Sequence, residues 1–231
     1  MQNVEEIVRS TLLDPYGIDD MDLERMLGQV ISNGIEMGDI YFQTAEAESW
    51  TLEDGQVKKS SYSNRQGVGF RSIIEEQTGL AYSESFEKES LMTAAKAASS
   101  IAKSGKSETV SISKRSLNKP YYSSDNPILS IDDKCKIDML NRLDEKVRSI
   151  DSRVKEVIAS LAAGHGAVLI VNQDGKIASD VRPMIRLSLS VIAEQNGRIE
   201  RGSSGGGGRM AYDFLDDDQL DQYAKEAVDQ A

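Results

Sequence analysis

The sequence predicts an α+β fold: a large, mainly antiparallel sheet built from two similar β-meanders, with helices packed on one face. Three observations predict it. Asp-Gly and Asn-Gly pairs, the strongest short hairpin signals, separate β-rich runs at Asp54-Gly55, Asp174-Gly175 and Asn196-Gly197. The surrounding layout recurs at an offset of about 120 residues, with "EDGQV" answered by "QDGKI", "NRQGVGFRS" by "VRPMIRLS" and "EEQTG" by "AEQNG". Amphipathic helical segments rich in alanine or leucine flank these runs.

In "DDMDLERMLGQVISNGIEMG", Leu23, Met26, Leu27, Val30, Ile31 and Ile35 recur at three- and four-residue steps. This predicts a helix with Asp19, Asp20 and Asp22 at its N-terminus and Gly38 as its stop. The first meander follows, turning at Asp54-Gly55 and again around Gln77-Thr78-Gly79. "FEKESLMTAAKAASSIAKSG" then reads as a helix with Leu91, Ala94, Ala95, Ala98, Ile101 and Ala102 on one face and Gly105 as the stop. Its alanines imply close packing on a sheet. "KSETVSISKRSLNKPYYSSDNPIL" is polar with two prolines and reads as an extended connection.

A third helix is expected in "SIDDKCKIDMLNRLDEKVRSID", capped by Ser130, with Cys135, Met139, Leu140, Leu143, Val147 and Ile150 as its apolar stripe. Cys135 on that stripe reads as a buried structural cysteine, with no basic partner nearby to make a thiolate. The second meander carries His165 in "AAGHGAV", read as a bend between two strands. Asp216-Asp217-Asp218 then heads a fourth helix with Leu220, Tyr223, Ala224 and Ala227 on its apolar face. That stripe reaches Ala231 without a glycine or proline stop, so the helix is expected to lead onward into a longer protein.

Composition excludes several classes of function. A net charge of −11 opposes non-specific nucleic-acid binding, which depends on cationic side chains. One cysteine permits neither an internal disulfide nor a cysteine-based zinc cluster, and fits a reducing cytoplasm. One histidine, His165, leaves no material for a histidine-based metal site. It also leaves none for a Ser-His-Asp triad beyond a single candidate base. No apolar run approaches a membrane span and no leader pattern opens the chain. No serine or aspartate nucleophile with a plausible base stands out. Glu75-Glu76 reads as structural, because adjacent strand side chains point to opposite faces.

The least ordinary stretch is "RIERGSSGGGGRM", where Ser203, Ser204, Gly205, Gly206, Gly207 and Gly208 lie between Arg201 and Arg209. It lacks the Lys-Ser/Thr of a phosphate loop and the strand-to-helix GxGxxG of a dinucleotide loop. A flexible linker and a strand where another backbone comes close both remain open from the residues themselves.

With "GDIYFQ", "ESWTLEDG", "QGVGFR", "TGLAYS" and "VRPMIRLSLSV", this "RGSSGGGGR" signature resembles the N-terminal half of the TldD/TldE (PmbA) metalloprotease family, from about Gly38 to the last helix. The resemblance implies a cytoplasmic, heterodimeric zinc peptidase acting on short or unfolded peptides, with a TldE (PmbA)-like partner subunit. Family members carry zinc-binding histidines and a catalytic glutamate in an HExxxH motif in their C-terminal half. This chain holds no such motif, so no catalytic or metal residue transfers to it and it is expected to be inactive alone. On this reading residues 38–105 form the first meander plus helix and residues 130–210 a helix plus the second meander. Residues 215–231 begin a helix leading to an absent C-terminal catalytic half.

The glycine stretch then becomes a sheet edge to which a peptide adds as a strand. Arg201 and Arg209 face substrate carboxylates, acids of the missing half, or surface acids of this chain. The alternative is a stand-alone binding or scaffold module.

Overall fold

In the computed structural model, residues 3–32, 34–100, 110–112 and 121–231 are described. The chain order is α1 (Val4–Leu12), α2 (Asp20–Val30), β1 (Met37–Glu53), β2 (Gln56–Ile74), β3 (Gln77–Ser83), α3 (Lys88–Ser99) and α4 (Pro127–Ser130). Then come α5 (Asp133–Ile150), β4 (Val154–Asn172), β5 (Ile177–Gln195), β6 (Arg198–Gly208) and α6 (Asp217–Gln230). The six strands form one sheet in the order β3-β2-β1-β4-β5-β6. Two three-stranded meanders therefore meet through their first strands, leaving β3 and β6 as the edges.

The hairpin turns have the positive φ values that their residues favour. Asp54 and Gly55 lie at φ 49° and 71°, Asn196 and Gly197 at 54° and 81°. Asp174-Gly175 sits in a slightly longer turn, where Asn172 Oδ1 accepts from the Asp174 and Lys176 amides and Gly175 takes φ 71°. The β2–β3 turn corrects the sequence reading. It lies at Glu75-Glu76, with Ile74 paired to Gln77 and Glu75 at φ 52°, so Gln77-Thr78-Gly79 is already strand.

The chain divides into two compact units, each with its own core. The first comprises Met1–Ala45, Asn64–Tyr121 and Gly166–Val181. In it, Ile40 and Phe42 of β1, Val68 and Phe70 of β2, and Leu169 and Val171 of β4 pack against Leu23, Leu27 and Val30 of α2 and Leu91, Ala95 and Ala98 of α3. Each large apolar side chain so buried contributes about 1.5–3 kcal/mol. The α3 alanines lie where the sequence places them; Ile101, Ala102 and Gly105 fall outside the described residues, as do residues 106–109 and 113–120 of the polar connection.

Three features of this unit depart from the sequence reading. Helix α1, capped by the Asn3 side chain and burying Val8 and Leu12, was not anticipated. Helix α2 ends at Val30, and Gly38 is a strand residue: a Cβ there would sit 2.7 Å from both Val30 Cγ1 and Ile31 Cγ2. Gly38 thus serves close approach of side chains to the strand and does not stop the helix.

The second unit comprises Glu46–Ser63, Tyr122–His165 and Arg182–Ala231. Val157, Ala159 and Leu161 of β4 and Ile185, Leu187 and Leu189 of β5 pack against Leu140, Leu143 and Val147 of α5 and Leu220, Ala224 and Ala227 of α6. Alternate β5 residues such as Arg182, Met184 and Arg186 are exposed, so the face away from the helices is open. His165 is not at a bend; it lies inside β4, with Nε2 3.3 Å from the Ser124 carbonyl.

Helix α5 is capped by Asp132, which accepts from the Cys135 amide, and Ser130 instead ends the short α4. Pro127–Ser130 is therefore helical where an extended path was expected. Cys135 is exposed, not buried. The Asp132 carboxylate beside it pushes its thiol up from the ordinary range, away from reactivity. Lys136 is buried in its place, its ammonium 2.8 Å from Glu48 Oε1 and 2.9 Å from the Ile128 carbonyl. Tyr212 also donates to Glu48, and burial followed by that carboxylate holds its hydroxyl well above the ordinary tyrosine range.

At the C-terminal end of α5, hydrogen bonds from the Arg153 side chain depress the Asp151 carboxyl to about 2. The ordinary unfolded value is about 3.9, so this pair supports folding above pH about 4 and loses its effect as pH falls towards 2. Asp151→Asn is expected to flatten that part of the acid limb in melts recorded between pH 4 and 2.

Candidate peptide-binding edge

The glycine stretch is a strand. β6 pairs with β5 in unbroken antiparallel register from Gln195↔Arg198 to Ile185↔Gly208, which rules out the linker reading. Glycine is a poor strand former, so seven small residues in succession, 202–208, need a reason on each face.

One face lies under α6. A Cβ on Gly202 would fall 1.8 Å from the Ala227 carbonyl oxygen, and one on Gly206 would fall 2.2 Å from the Tyr223 hydroxyl. On the same side, Ser204 donates to Glu226 at 2.6 Å, and this bond, with a second from Gln222, holds the Glu226 carboxyl below its usual range. Gly208 ends the row beneath Met210. Side chains here would lift the helix from the strand.

The other face is exposed at Arg201, Ser203, Gly205 and Gly207. Gly205 takes φ 143°, a conformation that side-chain-bearing residues rarely adopt. The Ser203 amide donates to Gln230 Oε1 at 3.3 Å and not to β5. Backbone polar groups alternate in direction along an antiparallel strand, so Ser203, Gly205 and Gly207 all aim N–H and C=O away from β5. The free edge is bare of side chains at two of these three positions.

The eight sequence-predicted site residues therefore separate. Arg201, Ser203, Gly205 and Gly207 share the open face, whereas Ser204 and Gly206 lie against α6 and Gly208 lies beneath Met210. Arg209 lies past the strand end, its guanidinium 5.0 Å above the Tyr122 ring. Tyr223 and Ala227 were legible only as part of an apolar stripe; the strand beneath them was not.

Among the described residues no three His, Cys, Asp or Glu side chains are placed to hold a metal ion. Among the described residues no helix is long and apolar enough to cross a membrane.

Two models of one family match the chain, the PmbA/TldA metallopeptidase domain 1 over residues 38–102 and its central domain over residues 126–231. The chain belongs to the PmbA/TldD metallopeptidase family. The family's central domain thus contains the whole of β6. The chain is 38% identical over 231 residues to the metalloprotease TldD homolog of Buchnera aphidicola subsp. Acyrthosiphon pisum (strain APS), covering 96% of this chain and 48% of that one. It is also 38% identical to the Haemophilus influenzae (strain ATCC 51907 / DSM 11121 / KW20 / Rd) homolog, covering 97% of this chain and again 48% of the relative. It spans about half the length of the curated relatives it matches.

Solved structures share the fold. One from Thermotoga maritima MSB8, described as a modulator of a DNA gyrase, superposes with a TM-score of 0.72 at 18% identity, over 91% of this chain and 47% of that one. TldE from Thermococcus kodakarensis superposes with a TM-score of 0.64 at 15% identity, over 90% and 46%. At such identities these neighbours speak for the fold alone.

Proposed function

We propose that this chain is the non-catalytic N-terminal portion of a TldD-like zinc metalloprotease. It contributes substrate-chamber and subunit-interface surface for processing short or unfolded peptides in the cytoplasm, beside a TldE-like partner. The observation that supports the reading is the β6 edge, where Gly205 and Gly207 direct main-chain donors and acceptors outward, while Ser203, its amide bonded to Gln230, offers its carbonyl. An extended peptide satisfies such groups through backbone bonds, which give affinity whatever the sequence and leave any preference to the side chains beside the edge. Cleavage itself belongs to a half that this chain does not supply.

Hydrogen exchange tests the edge. Adding an unstructured peptide in excess to the 231-residue chain is expected to slow exchange of the Gly205 and Gly207 amides. Amides of β5 residues, already bonded inside the sheet, should not change. Binding without protection at those two glycines overturns the strand-addition reading.

A further inference from the structure

Two arginines stand at opposite ends of this open edge, without an acid partner among the described residues. Arg201 is on β6 itself, and Arg186 is the β5 residue paired with Gly207. Both are exposed, and among the described residues neither has a carboxylate within ion-pair distance; Arg186 reaches only the Ser188 hydroxyl, at 3.3 Å. Other surface arginines of the same unit, Arg142, Arg148 and Arg153, are each paired to aspartate. In a chain of net charge −11, two arginines left over on one strip of sheet are a local reversal of sign.

Residues directly opposite in a sheet share a face. Arg186 and Gly207 are opposite, and Gly207, Gly205, Ser203 and Arg201 alternate along β6, so both arginines lie on the same open face. Between them the floor is small: Ser188, Ser190, Ser203 and Gly205. A peptide strand added at the edge would place one residue opposite Gly207 and another, six positions along, opposite Arg201. The separation is about 20 Å at about 3.3 Å per residue. Its residue opposite Arg201 has a direct cross-strand cation. Its residue opposite Gly207 is two strand spacings, about 10 Å, from Arg186. A Cβ on Gly207 would fall 2.0 Å from the Ile185 carbonyl oxygen, so the glycine lets β6 lie close to β5 there, and an extended arginine and an acidic side chain span the remaining distance from the two sides.

We infer that the edge selects extended peptides with acidic side chains six residues apart, Arg186 and Arg201 being the specificity-determining pair. This rests on the strand-addition reading and adds to it the class of peptide bound. The even spacing is essential. Acids five apart would place one of the two on the opposite face, under α6.

The test uses fluorescent nine-residue peptides otherwise of serine and alanine. They carry glutamate at positions 2 and 8, glutamate at 2 and 7, or lysine at 2 and 8, and binding is read by anisotropy. The 2,8-glutamate peptide is expected to bind tightest. Arg186→Ala and Arg201→Ala should each weaken it about threefold, and about tenfold together, the scale of cross-strand charge pairs. The double charge reversal Arg186→Glu with Arg201→Glu should prefer the lysine peptide. Equal binding of all three peptides, with Gly205 and Gly207 amides still protected, overturns the acidic selectivity and leaves strand addition standing. Arginine-dependent binding without that protection overturns strand addition, and with it the six-residue register.

Discussion

Lys136→Met is expected to lower the unfolding free energy of the chain by about 3–5 kcal/mol, the cost of leaving a buried charge without its partner. Lys136 is 2% exposed and Glu48 8% exposed. The ammonium lies 2.8 Å from one carboxylate oxygen of Glu48 and 2.9 Å from the other. Methionine matches the stem of the lysine but offers no donor, so Glu48 keeps the Tyr212 hydroxyl at 3.1 Å and a long contact to Trp50. The Ile128 carbonyl loses its ammonium donor as well. A double-mutant cycle in urea separates charge from packing. Glu48→Gln in the Lys136→Met background removes the stranded anion and should recover about half of the loss. No recovery in the double variant would show that packing of the lysine stem, and not the ion pair, dominates.

That network also shows why the sequence revealed the sheet more readily than the cores. Asp54-Gly55 and Asn196-Gly197 define hairpins through local backbone chemistry, and alternation along "MIRLSLSV" marks the buried face of β5 within a few residues. Local signals of this kind need no knowledge of the rest of the chain. Cys135 and Lys136 are different. Both fit a stripe through Met139, Leu140 and Leu143 at helical spacing, and hydropathy favours the cysteine. The outcome is decided by Glu48, on β1, whose carboxylate needs a cation inside the core. Gly38 and His165 failed for the same reason. A glycine reads as a stop or bend until the neighbour it admits is known, here the ends of Val30 and Ile31 for Gly38 and the β1 backbone for the glycines around His165. The candidate edge was legible as an unusual stretch of strand-flanked glycines. Its division into a helix-supporting row and an outward row required α6 to be placed.

Gly202→Ala should be the most disruptive single-methyl change in that stretch. An alanine Cβ there would lie 1.8 Å from the Ala227 carbonyl oxygen and 2.8 Å from the Ala231 amide nitrogen. These are backbone atoms, so no side-chain rotation relieves the clash; either α6 moves or β6 does. Overpacking of this kind costs about 1–3 kcal/mol, occasionally more. Moving α6 adds the partial exposure of Leu220, Ala224 and Ala227, all now fully buried. We expect a loss of about 3 kcal/mol in chemical denaturation, within the range for core overpacking, with amides of α6 exchanging faster than those of α5. Ser203→Ala, one residue along on the open face, provides the contrast: its backbone bond to Gln230 is kept and its stability should stay within about 0.5 kcal/mol of the parent. If Gly202→Ala melts like the parent, α6 does not rest on the strand, and the glycines on that row need another explanation. If it is destabilised while peptide still protects Gly205 and Gly207, the two rows act independently. The helix then requires small residues on its side of β6, and the peptide requires the bare backbone edge on the other.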